Sequence, residues 1–259
     1  MLGNYRRFCI RCHSYKIYRI LGKRFRCKHC GYTFHEFSGR WINHLRISCR
    51  QWLWIIKLFE LELSARKIAE QVDLSYPTVL KALTVIRMAI LVANQGQDLL
   101  FGEIELDESY FGGKRKGKRG RGAFNKVPVF GILERDGIVK VEAVNDVTAE
   151  TLLNLTIKTV RRGSIVYTDK FRSYDALMCC GYRHLKVDHG KRFSSGKVYI
   201  NGLEGFWSYA KERLIKHHGV SQEKFPLYLK EMEFRYNNRG DEIFHILAKH
   251  LVNLVPDLL

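Results

Sequence analysis

The sequence lacks the segments that direct proteins to secretion or to membranes. No apolar stretch follows the arginines near Met1, so a signal peptide is not expected. The run of large apolar residues that begins at Trp52 stops at Lys57, which is too short to cross a bilayer. These absences predict a cytoplasmic protein that has no membrane partner.

Acidic residues are scarce compared with basic ones. The 259 residues include 26 Asp and Glu but 44 Lys and Arg, which gives a formal net charge of +18. A protein with this excess usually has a polyanionic partner, although a basic solvated surface is the alternative. The basic residues are clustered as well as abundant, which favours nucleic acid. Because 46% of the residues are hydrophobic, a folded core is expected and wholesale disorder is not.

A disulfide framework is not expected, because thiols stay reduced in the cytosol. Four of the seven cysteines form two Cys-x-x-Cys pairs that are separated by 14 residues, and the segment between them resembles a β-hairpin around Gly22. Two such pairs supply the four thiolates that structural Zn²⁺ prefers. Residues 1–38 are therefore predicted to be a basic zinc ribbon that touches DNA phosphates. The predicted zinc ligands are Cys9, Cys12, Cys27 and Cys30.

Residues 39–96 are predicted to form helices, because no glycine occurs between Arg40 and Asn94. Ser64 and Ser75 are suited to cap two successive helices, whose apolar residues recur at helical spacing. This pattern is typical of a helix-turn-helix DNA-binding domain, and an ordinary helical hairpin is the alternative. The residues predicted to face a major groove are Tyr76, Thr78 and Lys81.

Residues 97–259 alternate strand and helix patterns, which predicts an α/β domain. Three strands come first, and the second turns into the third at Asp136. A helix capped by Thr148, a short buried strand, a helix that starts near Ser173, a fifth strand and a long helix after Tyr199 follow. This order is that of the ribonuclease-H-like fold, here with further helices at the C-terminal end.

Three carboxylates are expected to converge at one end of that sheet. Asp107 lies on the first strand, Asp169 directly follows the fourth, and Glu204 lies on the polar face of the later helix. Other acids, such as Glu105 and Glu108, are less well placed at the end of an adjacent strand. Hard divalent cations prefer oxygen ligands, and a pair of them can activate one oxygen and stabilise another in phosphodiester chemistry. We therefore predict a site for two Mg²⁺ ions, with Mn²⁺ as a substitute.

Several motifs carry a resemblance to a known family. They occupy residues 105–114, 167–169, 187–189, 201–211 and 233–239. With these motifs the chain resembles the DDE transposases of bacterial insertion sequences, in particular the zinc-ribbon ISXO-like group related to Merlin elements. The resemblance spans essentially the whole chain. It implies Mg²⁺-dependent transposition at terminal inverted repeats into target DNA, by a homodimer or larger synaptic complex in the bacterial cytosol or nucleoid.

The resemblance implies roles for further residues. In some relatives an asparagine is the third ligand, and Asn201 stands in the matching place, so Asn201 and Glu204 both remain candidates. His189 and Lys211 resemble active-site neighbours, the former for the scissile phosphate or a water and the latter for a DNA phosphate. A hydrogen-bonded structural histidine is the alternative for His189.

Basic residues of the predicted catalytic domain are candidates for DNA contacts. Arg235 and Arg239 lie four apart on a predicted helix and are candidates either for DNA binding or for pairing with acids. A glycine-interrupted basic run is expected to order along phosphates, with a solvated loop as the alternative. Its basic residues are Lys114, Arg115, Lys116, Lys118, Arg119 and Arg121.

These features predict a transposase that binds the ends of its own insertion sequence, cleaves phosphodiester bonds and joins 3′-hydroxyl ends to target DNA. One alternative is a catalytically silent or domesticated DNA-binding regulator, which would use only the first two domains. The other is a nuclease of the same fold, which would cut DNA without joining the ends.

Overall fold

The computed structural model describes residues 7–94, 98–112, 126–169, 178–186, 200–217 and 219–256. The two compact units of the chain are Met1–Ala89 with Phe244–Leu259, and Ile90–Ile243. The last residues therefore group with the N-terminal part, whereas they were expected from the sequence to belong to the catalytic domain. Local pairing is the reason: the Val255 N–H donates to the Gly39 carbonyl at 2.8 Å, and the Phe244 N–H donates to Glu60 at 2.9 Å. The predicted functional boundaries near residues 38 and 96 stay predictions.

The first unit begins with a small antiparallel sheet. Its strands are β1 (Ile17–Ile20), β2 (Arg24–Cys27) and β3 (Thr33–His35), in that spatial order. The turn between β1 and β2 contains Gly22 at a φ of +75°, a backbone conformation that favours glycine, so the predicted hairpin is present. The strand β3 was not predicted, and it adds the buried ring of Phe34 to the core of this sheet.

The rest of the first unit is helical. Its elements are the 3₁₀ turn Trp41–Asn43, α1 (Cys49–Glu60), α2 (Ala65–Val72), α3 (Tyr76–Ala93), which crosses into the second unit, and α7 (Ile243–Leu251). The Ser64 side chain accepts from the Lys67 N–H at the start of α2, as predicted. Asp73 ends α2 in a left-handed conformation at a φ of +52°. The segment is therefore a helix, a tight turn and a second helix.

Among the described helices, α3 has the length and apolar composition of a membrane-crossing segment. The core helix of a soluble protein passes the same test. In this structure 44% of its residues are buried inside the protein, including Val79, Ile86 and Ile90.

The second unit contains a five-stranded sheet. Its strands are β4 (Glu103–Phe111), β5 (Val127–Glu134), β6 (Val139–Ala143), β7 (Ile165–Thr168) and β8 (Arg183–Lys186), and its helices are α4 (Ala149–Thr159), α5 (Asn201–Ile215) and α6 (Phe225–Asn237). The spatial order is β6-β5-β4-β7-β8, with the first three strands antiparallel and the last two parallel to β4. This is the ribonuclease-H-like topology, which confirms the predicted fold class. The helix expected near Ser173 lies outside the described residues.

Strand β4 runs through the middle of the sheet with both faces covered. Ile104 and Leu106 are buried in the core that includes Leu152 of α4. Leu203 and Phe206 of α5 belong to a separate core cluster with residues of β5 and β6. Because side chains alternate along a strand, Glu103, Glu105 and Asp107 of β4 point away from the α4 side and toward α5. The alternation of apolar and acidic residues in β4 thus determines which face carries the candidate site.

Candidate metal centres and DNA-binding residues

Four cysteines of the first unit form a closed ligand set. The Sγ atoms of Cys9, Cys12, Cys27 and Cys30 all lie within 4.8 Å of one another, and two pairs are 3.6 Å apart. A tetrahedron with Zn–S bonds near 2.3 Å has S···S edges of about 3.8 Å, so the set fits Zn²⁺. The His29 N–H donates to the Cys27 sulfur at 3.3 Å. Hydrogen bonds from backbone N–H groups, of which that of Cys30 has the largest effect, lower the pKa of the Cys27 thiol to about 6. The cluster is compatible with the predicted structural zinc site.

The parallel pairing of β4 with β7 brings Asp107 and Asp169 to the same end of two neighbouring strands. The last pair of that ladder is Glu105 with Tyr167, and Asp107 and Asp169 each come two residues later. Asp169 directly follows the last residue of β7 and lies just beyond the paired residues. Adjacent strands are separated by about 4.8 Å and the charge of Asp169 acts on Asp107, so the two carboxylates can share a cation.

The surroundings of Asp107 favour a bound cation. Burial raises the pKa of Asp107 to about 6, and the charges of Glu108 and Asp169 add to the rise. The indole N–H of Trp207 donates to Asp107 Oδ2 at 2.9 Å and opposes it. A partly desolvated carboxylate that lies near other negative charges is stabilised by a bound cation. The oxygen donors and the electrostatics of this edge therefore fit a divalent cation such as Mg²⁺.

Glu105, the preceding inward-facing acid of β4, is occupied by other partners. Its side chain is 1% exposed, and its two oxygens accept from Arg135 Nε at 3.1 Å and from the Leu203 N–H at 3.0 Å. Arg135 also pairs with Glu103 at 2.6 Å and lies 3.8 Å from the centre of the Tyr167 ring. Glu105 therefore satisfies a backbone donor in the first turn of α5, while Arg135 neutralises its charge.

Replacing Arg135 by methionine is expected to lower the free energy of unfolding by about 3–5 kcal/mol, because the buried Glu105 carboxylate loses its cation. Urea denaturation of the full chain measures this change. The matched control is Arg7→Met, which removes an exposed partner of Glu36; these two side chains are 57% and 58% exposed. That change should cost about 1 kcal/mol or less. Equal losses in the two variants would contradict the buried pair.

The predicted third ligand lies in the first turn of α5. Asn201 begins this helix, and both Asn201 and Glu204 are exposed. Lys211 lies further along the helix, where partial desolvation lowers its pKa and the charge of Asp107 opposes that shift. Within the described ranges the cysteines form the single closed ligand cluster, so Glu204 is not gathered with Asp107 and Asp169. The choice between Asn201 and Glu204 stays a prediction.

Gly131 of β5 makes room for the indole that contacts Asp107. Gly131 is paired directly with Asp107 across the antiparallel ladder. A Cβ atom at this position would lie 2.6 Å from Trp207 Cζ2 and 2.9 Å from Leu203 Cδ2. Strand β5 and helix α5 thus approach each other more closely than any larger residue would allow.

Gly131→Ala is expected to lower the free energy of unfolding by about 1–3 kcal/mol, because the added methyl group displaces Trp207 and Leu203. Thermal or urea denaturation checks this value. Gly205→Ala is the control, since a Cβ there meets nothing within 4 Å and the residue lies inside α5. It should be neutral or stabilise the protein by up to about 1 kcal/mol. A Gly131→Ala protein as stable as the wild type would contradict the close packing.

The three candidate groove-facing residues of α3 differ in their surroundings. Tyr76 and Lys81 are exposed, which suits DNA contacts. Thr78 is half-buried, its hydroxyl lies 2.8 Å from the Ser75 hydroxyl, and its N–H donates to that same oxygen. Thr78 therefore takes part in capping α3, as predicted for Ser75, and is the weaker candidate for reading DNA.

Arg235 and Arg239, the two candidate DNA-binding arginines of α6 and the turn after it, differ in burial. Arg235 is buried, and its Nε donates to the buried Glu231 at 2.9 Å. The assignment of Arg235 to DNA binding is therefore corrected, since a buried and paired guanidinium cannot reach a phosphate. Arg239 is exposed, with one nitrogen bonded to the Tyr236 carbonyl at 2.8 Å, and it remains a candidate.

Other predicted site residues lie outside the described part of the chain. They are His189 and the basic run Lys114, Arg115, Lys116, Lys118, Arg119 and Arg121. Their roles stay predictions.

Three residues near Asp107 or its neighbour Glu105 were not singled out from the sequence, namely Trp207, Arg135 and Gly131. Two signals were available: a buried tryptophan usually finds a partner for its N–H, and a glycine within a strand often marks a close approach. Neither signal identifies Asp107 as the acceptor of the Trp207 N–H, or Trp207 as the side chain that lies against Gly131.

Comparisons with known proteins place the chain in a family. Residues 99–237, more than half of the chain, match the ISXO2-like transposase domain. An uncharacterised transposase-like protein of Haemophilus influenzae is 45% identical over 109 residues, which cover 42% of this chain and 89% of that protein. An uncharacterised protein in the transposable element ISH50 of Halobacterium salinarum is 29% identical over 245 residues, covering 87% and 81%.

Solved structures give more distant likenesses. The Mos1 strand transfer complex is similar over 80% of this chain and 78% of that one, at 14% identity and a TM-score of 0.33. A simian T-cell lymphotropic virus intasome is similar over 70% and 69%, at 12% identity and a TM-score of 0.35. The match over residues 99–237 decides the assignment: the chain belongs to the ISXO2-like transposase family.

Proposed function

We propose that the protein cuts DNA at the terminal inverted repeats of its own insertion sequence and joins the freed ends to target DNA. The observation that supports this proposal is the parallel pairing of β4, which carries Asp107, with β7, which ends directly before Asp169, within a transposase domain. Two neighbouring carboxylates, one with a pKa raised by burial, are suited to hold divalent cations.

Each residue of the site has a separate task in the proposed mechanism. Bound Mg²⁺ ions, or Mn²⁺, supply activation of the attacking oxygen and stabilisation of the leaving oxygen. Asp107 and Asp169 hold them from the sheet, and Glu204 or Asn201 adds a ligand from α5. Lys211, whose charge interacts with that of Asp107, binds a phosphate oxygen of the scissile strand. Positioning and charge stabilisation together provide the catalysis.

We further propose that helix α3 recognises the terminal inverted repeat. Tyr76 and Lys81 are exposed on α3, at positions that a helix-turn-helix uses in a major groove. The basic zinc ribbon and the basic run after β4 add phosphate contacts, and His189 positions the scissile phosphate or a water. Because two ends must be joined in one event, the active form is proposed to be a homodimer or a larger synaptic complex.

The test uses the full chain and labelled duplexes that carry the repeats flanking its gene. In Mg²⁺ or Mn²⁺ the protein is expected to release nicked or cleaved strands and to produce joined strands on an added target duplex. With EDTA neither product should form. A duplex of the same composition with a scrambled repeat is the control for sequence recognition.

The same assay separates the alternatives. Cleavage without joined products would indicate a nuclease of the same fold. Binding to the repeats without cleavage in any divalent cation would indicate a DNA-binding regulator. Either result would contradict the proposed transposition.

A further inference from the structure

We propose that Trp207 is a positioning residue that orients the Asp107 carboxylate toward the bound cation, an inference that rests on the proposed function. Its indole N–H donates to Asp107 Oδ2 at 2.9 Å, and the side chain is 5% exposed, so water does not compete for the bond. A donor fixed on one oxygen restricts rotation of the carboxylate and so sets the direction of the lone pairs that a metal ion would meet.

The indole itself is held in place by its surroundings. Gly131 lies so close that a Cβ would meet the ring at 2.6 Å. The rings of Phe111 and Phe206 pack edge-on against it, with centroids 5.9 and 5.2 Å away. Because the ring cannot turn without displacing these neighbours, its N–H is oriented before any cation binds.

The bond also belongs to a pair of contacts that align α5 with β4. Glu105 accepts from the Leu203 N–H, and Asp107 accepts from the Trp207 indole N–H. The two acceptors are two residues apart on β4, and the two donors are four residues apart on α5. A two-residue step along a strand covers about 6.6 Å, and a four-residue step along a helix covers about 6 Å. The two steps match, so both bonds form together when α5 runs along β4. The same helix carries Glu204, whose position relative to Asp107 is therefore set by this alignment.

Two substitutions at Trp207 separate the hydrogen bond from the bulk of the ring. Trp207→Phe keeps a large ring and removes the N–H. Trp207→His keeps a ring N–H but removes more bulk. The histidine Nε2 is separated from Cγ by the same number of bonds as the indole nitrogen is. If Trp207 orients Asp107, the histidine variant should bind Mn²⁺ more tightly than the phenylalanine variant. If Trp207 only fills space, the phenylalanine variant should bind Mn²⁺ more tightly.

The measurement is Mn²⁺ affinity of the full zinc-loaded chain, by electron paramagnetic resonance of free Mn²⁺. Trp207→Phe is expected to weaken binding by about tenfold or more, as loss of an orienting partner usually does. Trp207→His should recover part of that loss. Trp54→Phe is the matched control, because Trp54 is 54% exposed in the first unit, and it should bind like the wild type.

A second measurement does not depend on the folding of these variants. In ¹H–¹⁵N spectra of the full chain, Mg²⁺ and the Asp107→Asn change are each expected to shift the Trp207 indole resonance but not that of Trp54. An unmoved Trp207 resonance, or a phenylalanine variant that binds Mn²⁺ within twofold of the wild type, would overturn the inference alone. Wild-type protein that binds no Mn²⁺ at this site would overturn the proposed function as well.

Discussion

Replacing Asp107 by asparagine is expected to reduce strand cleavage and strand transfer by at least about a thousandfold while leaving binding to the repeats intact. The amide lacks the charge that holds a cation against the phosphate, and preorganised charge in such sites is worth at least this much. Asp169→Asn should behave alike, because Asp169 follows β7 directly, two residues beyond the last residue that pairs with β4, and its charge acts on Asp107. Gel assays of labelled ends measure the chemistry, and fluorescence anisotropy measures the DNA binding.

The matched control for this loss is another carboxylate-to-amide change on the same sheet. Asp136 lies in the turn between β5 and β6 at a φ of +60°, a conformation that asparagine also accepts. Asp136→Asn is expected to keep full activity. Strand transfer retained by Asp107→Asn or Asp169→Asn would falsify the assignment of the catalytic acids.

The same Asp107→Asn change is expected to make the metal-free protein more stable above pH 6. Burial raises the pKa of Asp107 in the folded chain from 3.8 to about 6, so the folded state binds the proton more tightly than the unfolded state does. Stability contributed by the protonated form is therefore lost as the pH rises from about 4 to 6. One pKa unit corresponds to about 1.4 kcal/mol, so the ionised carboxylate costs up to about 3 kcal/mol at pH 7.

Thermal melts with and without Mg²⁺ measure this effect. With zinc-loaded protein in a buffer without Mg²⁺, the asparagine variant should melt above the wild type, and Mg²⁺ should raise the melting temperature of the wild type but not that of the variant. A variant that is less stable than the wild type at pH 7 without Mg²⁺ would show that Asp107 has a structural role. A functional acid that destabilises its own fold is a common compromise at active sites.

Much of the sheet was predictable because its signals are local. Apolar and acidic residues alternate along β4, which fixes the face of each side chain, and Asp169 ends a short buried strand. The fold order then makes β4 and β7 neighbours, as observed. The two Cys-x-x-Cys pairs predicted the cysteine cluster for the same reason, since their spacing alone brings the thiols together.

The contacts that orient the site were not predictable, because they join residues that are distant in the sequence. The bond between Trp207 and Asp107 and the bond between Arg135 and Glu105 depend on how α5 and β5 pack on β4. Periodicity shows that Trp207 is buried but not which acceptor its N–H meets. The pair of Arg235 with Glu231 is different, because the two residues are four apart on one helix and their spacing allowed the alternative of pairing with an acid; what the spacing did not show is that both side chains are buried.

Replacing Cys27 by serine is expected to remove the bound zinc and to unfold the ribbon. Among the described residues, the core of this small sheet contains few buried side chains, namely those of Cys9, Cys27 and Phe34. Such a core is too small to fold without a metal, and structural zinc supplies on the order of 10 kcal/mol of binding free energy that is also folding free energy. Elemental analysis should find about one zinc ion per wild-type chain and almost none in the variant.

The consequence for DNA binding distinguishes a structural zinc from an incidental one. The small sheet carries exposed basic side chains on β1 and β2, including Arg19, Arg24 and Arg26, so its unfolding is expected to remove the proposed phosphate contacts. Affinity for the repeats should fall by about tenfold or more at moderate salt, with a shallower salt dependence. Cys49→Ser, at an exposed cysteine of the same unit, should retain both zinc and affinity. If Cys27→Ser retained zinc and resisted proteolysis within residues 7–38, the prediction that the fold requires the Cys27 thiolate would be contradicted, because three thiolates would then suffice.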